Sequence, residues 1–326
     1  MIVVNNVTKY YGHHPAVRDL DFTIEEGECV GFLGLNGAGK TTTLRILSCL
    51  TLPTSGRVTI RGLDVEDDPH EIRKLIGFLP DTPPVYPEMT VARYLEFAGK
   101  LRQMEPEELE RRMPEVLKTA GLTEVQDEVI AALSHGYRQR VGIAQAIIHK
   151  PSLLILDEPI QGLDPVQIVE MREMIRELRG KHTILLSTHI LSEIQQTCDR
   201  ILMLHQGRIA ATGTEEDLST ELEALEAAHL KKGVPARALF VDVILPEGKT
   251  DKDLQAILEA IDDVHGVTVV AGPEADTRRA TVQAGGDVRA AVARAVVESG
   301  IGLVGLERGQ SGLESIFVNL SKGGAS

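Results

Sequence analysis

An alternating α/β domain followed by a smaller α+β domain accounts for three features of this 326-residue chain. Three continuous apolar runs, Leu153–Leu156, Thr183–Leu186 and Ile201–Leu204, have the character of parallel strands covered on both faces. Between the first two lies a well-signalled helix. Asp164 can cap it, Pro165 suits its first position and Gly180 can end it. After about Thr214 the composition shifts, and the remaining residues read in the order βαββαβ.

Taken in order, "IVVNNVTKYY", "LDFTIEEGECVGFLGL" and "GRVTIRGLDV" are expected as short strands separated by Gly and Asp turns. The span Glu71–Ala131 is expected to be mostly helical and charged, broken by the proline-rich loop "PDTPPVYPEMT". "TEEDLSTELEALEAAHLKK" is expected as an acidic helix, and "GVPAR" as a linker. The tail then offers a strand at Leu239–Leu245, a helix at Lys252–Ile261, and strands at Val267–Val270 and Arg279–Gln283. A helix at Val288–Glu298, a strand at Leu303–Leu306 and a last short helix, "SGLESIFVNL", complete it. The expected boundaries are 1–218, 219–236 for helix and linker, and 237–326 for a ferredoxin-like domain.

Composition narrows the classes of function. An apolar fraction of 43% supplies a core, and with no Trp, 6 Phe and 5 Tyr the packing is aliphatic. A net charge of −14 argues against a broad basic surface for nucleic acid. Cys29, Cys49 and Cys198 are far apart, with neither metal spacing nor a disulfide framework, which suits a reducing compartment. The start, "MIVVNNVTKYYG", has no signal-peptide pattern, and no apolar run approaches the roughly 20 residues needed to span a bilayer. For a membrane process, another chain must supply the membrane part.

The chemistry begins with "GLNGAGKT", Gly34 to Thr41, which fits G-x-x-x-x-G-K-[ST]. It follows the apolar strand Cys29–Leu33 and opens a helix, the context this phosphate loop requires. Its glycines let backbone N–H groups turn toward phosphate oxygens at a helix N-terminus. Lys40 is placed to reach β- and γ-phosphates, and Thr41 to ligate Mg²⁺. Asp157 and Glu158 end the strand "LLIL", at the carboxyl edge where such sheets bind ligands. Asp157 suits Mg²⁺, directly or through water; Glu158 could orient or deprotonate an attacking water. His189 ends the next strand and could hydrogen-bond a γ-phosphate oxygen.

In order, "YYG", "GLNGAGKTT", "LSHGYRQR", "LLILDEP", "QGLDP" and "LLSTH" resemble the ATP-binding cassette (ABC) ATPase family over roughly residues 2–216. "IGFLPDTPPVYPEMTVARYLEFAGKLR" and "LSHGYRQRVGIAQAI" are similar to the nucleotide-binding subunits of ABC-2-type exporters, among them the gliding-motility-associated and copper/nitrous-oxide-reductase-maturation ATPases. The resemblance implies a P-loop cassette with a mixed-sheet core, an antiparallel β subdomain and a helical subdomain. It implies ATP and Mg²⁺ as cofactors and a head-to-tail dimer of two copies. A polytopic permease on a separate chain would be the partner, with no nucleic acid. It also implies a cytoplasmic location, peripheral on the inner face of the membrane.

The same resemblance assigns roles by position. Tyr11 would stack on adenine. Gly34, Asn36, Gly37, Ala38, Gly39, Lys40, Thr41 and Thr42 would hold phosphates and Mg²⁺. Ser134 and Gly136 would contact the γ-phosphate of the partner's ATP. Glu158 would be the general base and His189 the switch residue. Asp164 has two readings, a helix cap or a contact across the dimer. Three positions depart from the family: Asp81 where Gln is usual, His135 where Gly is usual, and Tyr137 where Gln is usual. Asp81 remains a candidate Mg²⁺ ligand, and an active ATPase is expected. The alternatives are a soluble ABC ATPase acting on nucleic acid or ribosomes and a regulator that only binds ATP. Acidity opposes the first, and intact Glu158 and His189 oppose the second.

Overall fold

The computed structural model describes residues 1–214, 216–218, 237–246, 248–272 and 277–308, with the side chains of 237, 238 and 308 excluded. The chain divides into two compact units, Met1–Glu215 and Glu216–Ser326. The acidic helix and linker expected over 219–236 and the helix "SGLESIFVNL" lie outside the described residues.

The first unit opens with an antiparallel sheet, β1 (Ile2–Tyr11), β2 (His14–Ile24), β4 (Ser55–Ile60) and β5 (Leu63–Asp64), ordered β2-β1-β4-β5. Between β2 and β4 come β3 (Cys29–Leu33) and α1 (Lys40–Leu47). The segment "LDFTIEEGECVGFLGL" thus divides in two, because Gly27 turns the chain at φ 80° between β2 and β3.

The second sheet is mixed and carries the chemistry. It comprises β3, β6 (Ile76–Leu79), β7 (Leu153–Asp157), β8 (Thr183–Thr188), β9 (Arg200–His205) and β10 (Arg208–Gly213), ordered β10-β9-β3-β8-β7-β6. Strands β9, β3, β8, β7 and β6 are parallel, and β10 closes one edge antiparallel to β9. All five residues of β3 and β7 and all six of β8 are buried, as expected of strands covered on both faces. Their residues Phe32, Ile155 and Leu185 share one apolar core with Ile2, Val58 and Ile60 of the antiparallel sheet.

Helices complete the unit: α2 (Pro69–Leu75), α3 (Val91–Leu101), α4 (Pro106–Thr119), α5 (His135–Ile147), α6 (Pro165–Leu178) and α7 (Leu191–Thr197). Strand β6 corrects the expectation that Glu71–Ala131 is mostly helical and broken only by the proline-rich loop. "IGFL" pairs with β7 through Ile76↔Leu153 to Leu79↔Leu156. Gly77 lets α5 pack closely, since a Cβ there would sit 2.1 Å from the carbonyl oxygen of Ala146. Tertiary packing overrides the helical surroundings of so short a run. Strand β10 was also not anticipated; Gln206 and Gly207, both at positive φ, form the tight turn that creates it.

The second unit contains β11 (Arg237–Ile244), α8 (Asp251–Glu259), β12 (Val264–Ala271), β13 (Thr277–Ala284), α9 (Arg289–Glu298) and β14 (Gly302–Arg308). Its sheet is ordered β12-β13-β11-β14 with every neighbouring pair antiparallel, which is the ferredoxin-like arrangement. Leu254 and Leu258 of α8 and Val292 and Val296 of α9 cover one face, against Leu239, Val241, Val243, Ala280 and Val282. The alternation in β11 dictates this, since inward aliphatics leave Phe240 and Asp242 for the other face. There Arg279 makes a two-pronged ion pair with Asp242 (2.7 and 2.6 Å).

Candidate nucleotide site

Four neighbouring parallel strands bring the candidate residues to one edge. The loop Gly34–Gly39 leaves β3, His189 follows β8, Glu158 follows β7, and Asp81 lies two residues beyond β6. Their order, β3-β8-β7-β6, places these groups side by side at the carboxyl ends.

The phosphate loop is held by close packing. A Cβ on Gly39 would meet Val17 Cγ1 at 2.7 Å and the Ala16 carbonyl oxygen at 2.8 Å, and Gly39 sits at φ 105°. Only glycine satisfies both conditions. The same packing seats the beginning of β2 against the loop. Tyr11, which pairs with His14 at the closed end of the β1–β2 hairpin, is exposed there. Lys9 Nζ lies 5.4 Å from the Tyr11 ring centroid, within cation–π range. Helix α1 has no side-chain cap and no acidic residue in its first turn. No carboxylate of the helix's own first turn thus competes with an anion for its first N–H groups.

Lys40 is buried at 5% exposure, with Nζ donating to the Gly34 carbonyl at 2.7 Å and lying 3.2 Å from Glu158 Oε1. An ammonium so enclosed needs anionic or carbonyl partners, and it already draws the general-base candidate to the loop. Glu158 adopts φ 49°, and its N–H is held by Ser187 O at 3.1 Å and Ser187 Oγ at 3.2 Å. This is a strained conformation for Glu, imposed where the sheet delivers its carboxylate. His189 Nδ1 lies 2.9 Å from Glu158 Oε2. A carboxylate there accepts, so the ring carries a proton on Nδ1.

Asp157 is 1% exposed and accepts from Ser187 Oγ at 2.5 Å. Burial pushes its carboxyl above the usual range; bonds from Ser187 and Thr41 oppose that, while Glu158 and Asp81 add to it. Thr41 and Asp81 therefore both bear on Asp157. Among the described residues no group of three His, Cys, Asp or Glu side chains forms a metal cage. The Thr41 hydroxyl and Asp157 carboxylate, which hydrogen-bond to each other, are hard oxygens of the kind that could hold Mg²⁺ were phosphates to complete its shell. Ser187 has no role assigned from the sequence, yet it fixes both acids. The hydroxyl in "LLSTH", one pleat from a strand's end, was the available signal.

Ser134 and Gly136 make their contacts elsewhere. Ser134 caps α5, its side chain accepting from the Tyr137 N–H at 3.4 Å. A Cβ on Gly136 would come within 2.5 Å of Gln167 Oε1. Asp164 caps α6, with Oδ1 accepting from the N–H groups of Val166 (3.0 Å) and Gln167 (2.9 Å).

A strand–glycine loop–helix holding a buried lysine, beside a strand-end acid pair and a histidine, defines a P-loop nucleotide-hydrolysing site. Residues 17–161 match the model of the ABC transporter family. YxlF, an ABC transporter ATP-binding protein of Bacillus subtilis (strain 168), is 40% identical over 269 residues, spanning 81% of this chain and 88% of that protein. The bacitracin transport ATP-binding protein BcrA of Bacillus licheniformis is 38% identical over 234 residues, 71% and 72% of the two chains. Among solved structures, a dimeric ATP-binding cassette in a post-hydrolysis state with ADP and phosphate aligns with TM-score 0.60 and 29% identity, covering 66% of this chain and 98% of that one. The chain belongs to the ABC transporter family as an ATP-binding, ATP-hydrolysing subunit.

Proposed function

We propose that this ATPase dimerises head-to-tail around ATP and powers a separate membrane permease, in the direction of export. The single observation that carries the catalytic half is the Lys40–Glu158–His189 chain at 3.2 and 2.9 Å. Glu158, anchored by Ser187 and poised beside the phosphate loop, would accept the proton of the attacking water. His189 would hold that carboxylate and the γ-phosphate in register. Lys40 would turn from the Gly34 carbonyl and Glu158 to the β- and γ-phosphate oxygens, releasing the base as ATP enters. Tyr11 would stack on adenine, while the loop N–H groups from Asn36 to Thr42 cradle the phosphates. Thr41 and Asp157, with Asp81 nearby, would hold Mg²⁺, which supplies electrostatic stabilisation of the transferring phosphoryl group.

Ser134 and Gly136 would complete the partner copy's site. Their contacts to Tyr137 and Gln167 leave the hydroxyl at an exposed helix start, with the positive end of α5 behind it. ATP then acts as a bridge between copies, and its hydrolysis lets them part.

Export is supported by the 39%-identical Nod factor export ATP-binding protein I of Rhizobium meliloti (strain 1021), and transport in general by BcrA, named for bacitracin transport. Among the described residues no helix is long and apolar enough to cross a membrane, so a permease on another chain would hold this one at the inner face of the membrane, on the cytoplasmic side. The segment Val85–Leu101, which exposes Tyr86 (46%) and Leu101 (65%), would form part of that contact.

The test uses Glu158→Gln, which should bind ATP without hydrolysing it and trap the closed dimer. Tagged protein is purified from its native cell in mild detergent with ATP, and partners are identified by mass spectrometry. A co-purifying polytopic membrane protein supports the proposal. Ribosomal or nucleic-acid-bound partners without a permease would replace it with the soluble alternative.

A further inference from the structure

We propose that His135, the residue by which this chain departs from its family's usual glycine, is a positioning residue that couples the two ATP sites of the dimer. The proposal rests on the head-to-tail arrangement proposed above.

The imidazole is the first residue of α5, directly after Ser134. Its Nε2 lies 3.1 Å from the carbonyl oxygen of Gln161. A carbonyl only accepts, so the ring donates from Nε2. A Cβ built on the next residue, Gly162, would lie 3.4 Å from the same nitrogen; the ring therefore rests against the backbone of Gln161–Gly162. Gly162 sits at φ 75°, a conformation that keeps side chains off that surface.

Gln161 belongs to the turn that begins on the general base. Its N–H donates to the carbonyl of Glu158 at 3.2 Å, and Glu158 is the residue at φ 49°. Two hydrogen bonds therefore join the start of α5 to the turn carrying Glu158: His135 to Gln161, and Gln161 to Glu158. A second contact lies six residues further on, where the Gln167 side chain packs on the Cα of Gly136. Gln167 is itself fixed by the Asp164 cap of α6.

This brace stands within one chain, but its two ends face different sites. Glu158 acts on the ATP held by its own loop, and Ser134 on the ATP held by the partner copy. Movement of Ser134 toward the partner's γ-phosphate would pull the Gln161 turn with it and adjust Glu158. Occupancy of one site is thereby communicated to the other. A glycine at 135 has no side chain to carry this bond.

The experiment measures steady-state ATP hydrolysis against ATP concentration, at protein concentrations where dimers form. The variants are His135→Ala and His135→Gln, whose amide N–H can reach a similar acceptor. Wild type should show a Hill coefficient of about 1.5 or more, below the limit of two set by the number of sites. His135→Ala should bring it to about 1 with KM raised about threefold or more and a smaller change in kcat. His135→Gln should restore cooperativity. Equal Hill coefficients in wild type and His135→Ala, at any value, would overturn the proposal. A thermal melt accompanies each variant: loss of cooperativity only in proportion to lost stability would also overturn it. ATP-dependent dimerisation of Glu158→Gln, followed by size-exclusion chromatography, separates the two levels. If that dimer fails to form, the proposed function falls and this coupling with it. If it forms while cooperativity ignores His135, the coupling alone is refuted.

Discussion

Replacing Asp164 by alanine removes both bonds that cap α6, at 3.0 and 2.9 Å. Loss of such a cap costs about 1 kcal/mol, within a range of about 0.5–2. Its carboxylate also faces the positive end of the helix, which adds about 0.3–1 kcal/mol at low ionic strength. Asp164 is exposed, so the lower part of that second range applies and salt will diminish it. The sum is about 1.5 kcal/mol. In a unit of this size each kcal/mol lowers Tm by about 2–4 °C, giving a fall of about 3–6 °C. Circular dichroism melts of Asp164→Ala and Asp164→Asn provide the assay. Asparagine caps as well as aspartate and forfeits only the charge–dipole part, about 0.5 kcal/mol, so Asp164→Asn should melt within about 2 °C of wild type, with turnover within about twofold. An alanine variant as stable as wild type, or an asparagine variant as unstable as alanine, would refute the cap. A loss of turnover in the asparagine variant at unchanged Tm would instead give the carboxylate a role across the dimer.

Gly77→Ala would force β6 and α5 apart by about 1 Å, because the new Cβ meets the Ala146 carbonyl at 2.1 Å and backbone cannot yield as a side-chain tip can. Overpacking of this kind costs about 1–3 kcal/mol; the thermal melt should fall accordingly, and ATPase activity should fall with it, since α5 begins at Ser134 and β6 leads to Asp81. Burial lowers the His149 imidazole to about 4 from an ordinary 6.5, with nearby Arg102 contributing. The folded chain then binds fewer protons than the unfolded chain between these values, so stability is complete above pH 6.5 and declines toward pH 4. The decline reaches about 2 kcal/mol by pH 5, from roughly 1.5 units at about 1.4 kcal/mol each. Urea midpoints measured from pH 7 to 5 should show it, and His149→Gln, able to donate to the Ile76 carbonyl as His149 does at 3.0 Å, should flatten the slope. An unchanged slope would place the titration elsewhere.

The parallel strands β7, β8 and β9 were legible because continuous burial on both faces leaves an uninterrupted apolar run, and the helix from Pro165 because its cap and stop are local chemistry. The tail's βαββαβ order was legible for a related reason: alternation in β11 and β13 survives on a sheet covered by helices on one face. Strand β6 was not, since four residues in a helical, charged span carry no period, and only pairing with β7 makes them a strand. In the site, motifs marked Lys40 at the start of α1 and Glu158 and His189 directly after strands β7 and β8. Ser187 offered only a hydroxyl near a strand end; the two bonds its side chain makes depend on register across β7 and β8, where Asp157 sits opposite it. His135 was legible only as a departure; its acceptor, Gln161, lies 26 residues away in the chain.

Mixing two disabled variants tests the central claim, that each ATP site is built from two copies. Lys40→Ala disables a chain's own phosphate loop. Ser134→Asp keeps the α5 cap, since aspartate caps well, but sets a negative charge against the partner's γ-phosphate. Each variant alone should be nearly inactive. In a mixed dimer, the Ser134→Asp copy's loop faces the intact Ser134 of the Lys40→Ala copy, so one complete site is rebuilt. Steady-state ATPase activity should rise well above either variant on mixing, and should not rise when a chain carrying both substitutions is mixed with either one. A mixture as inactive as its components would contradict the account, because sites complete within one chain, or never shared between copies, predict that result.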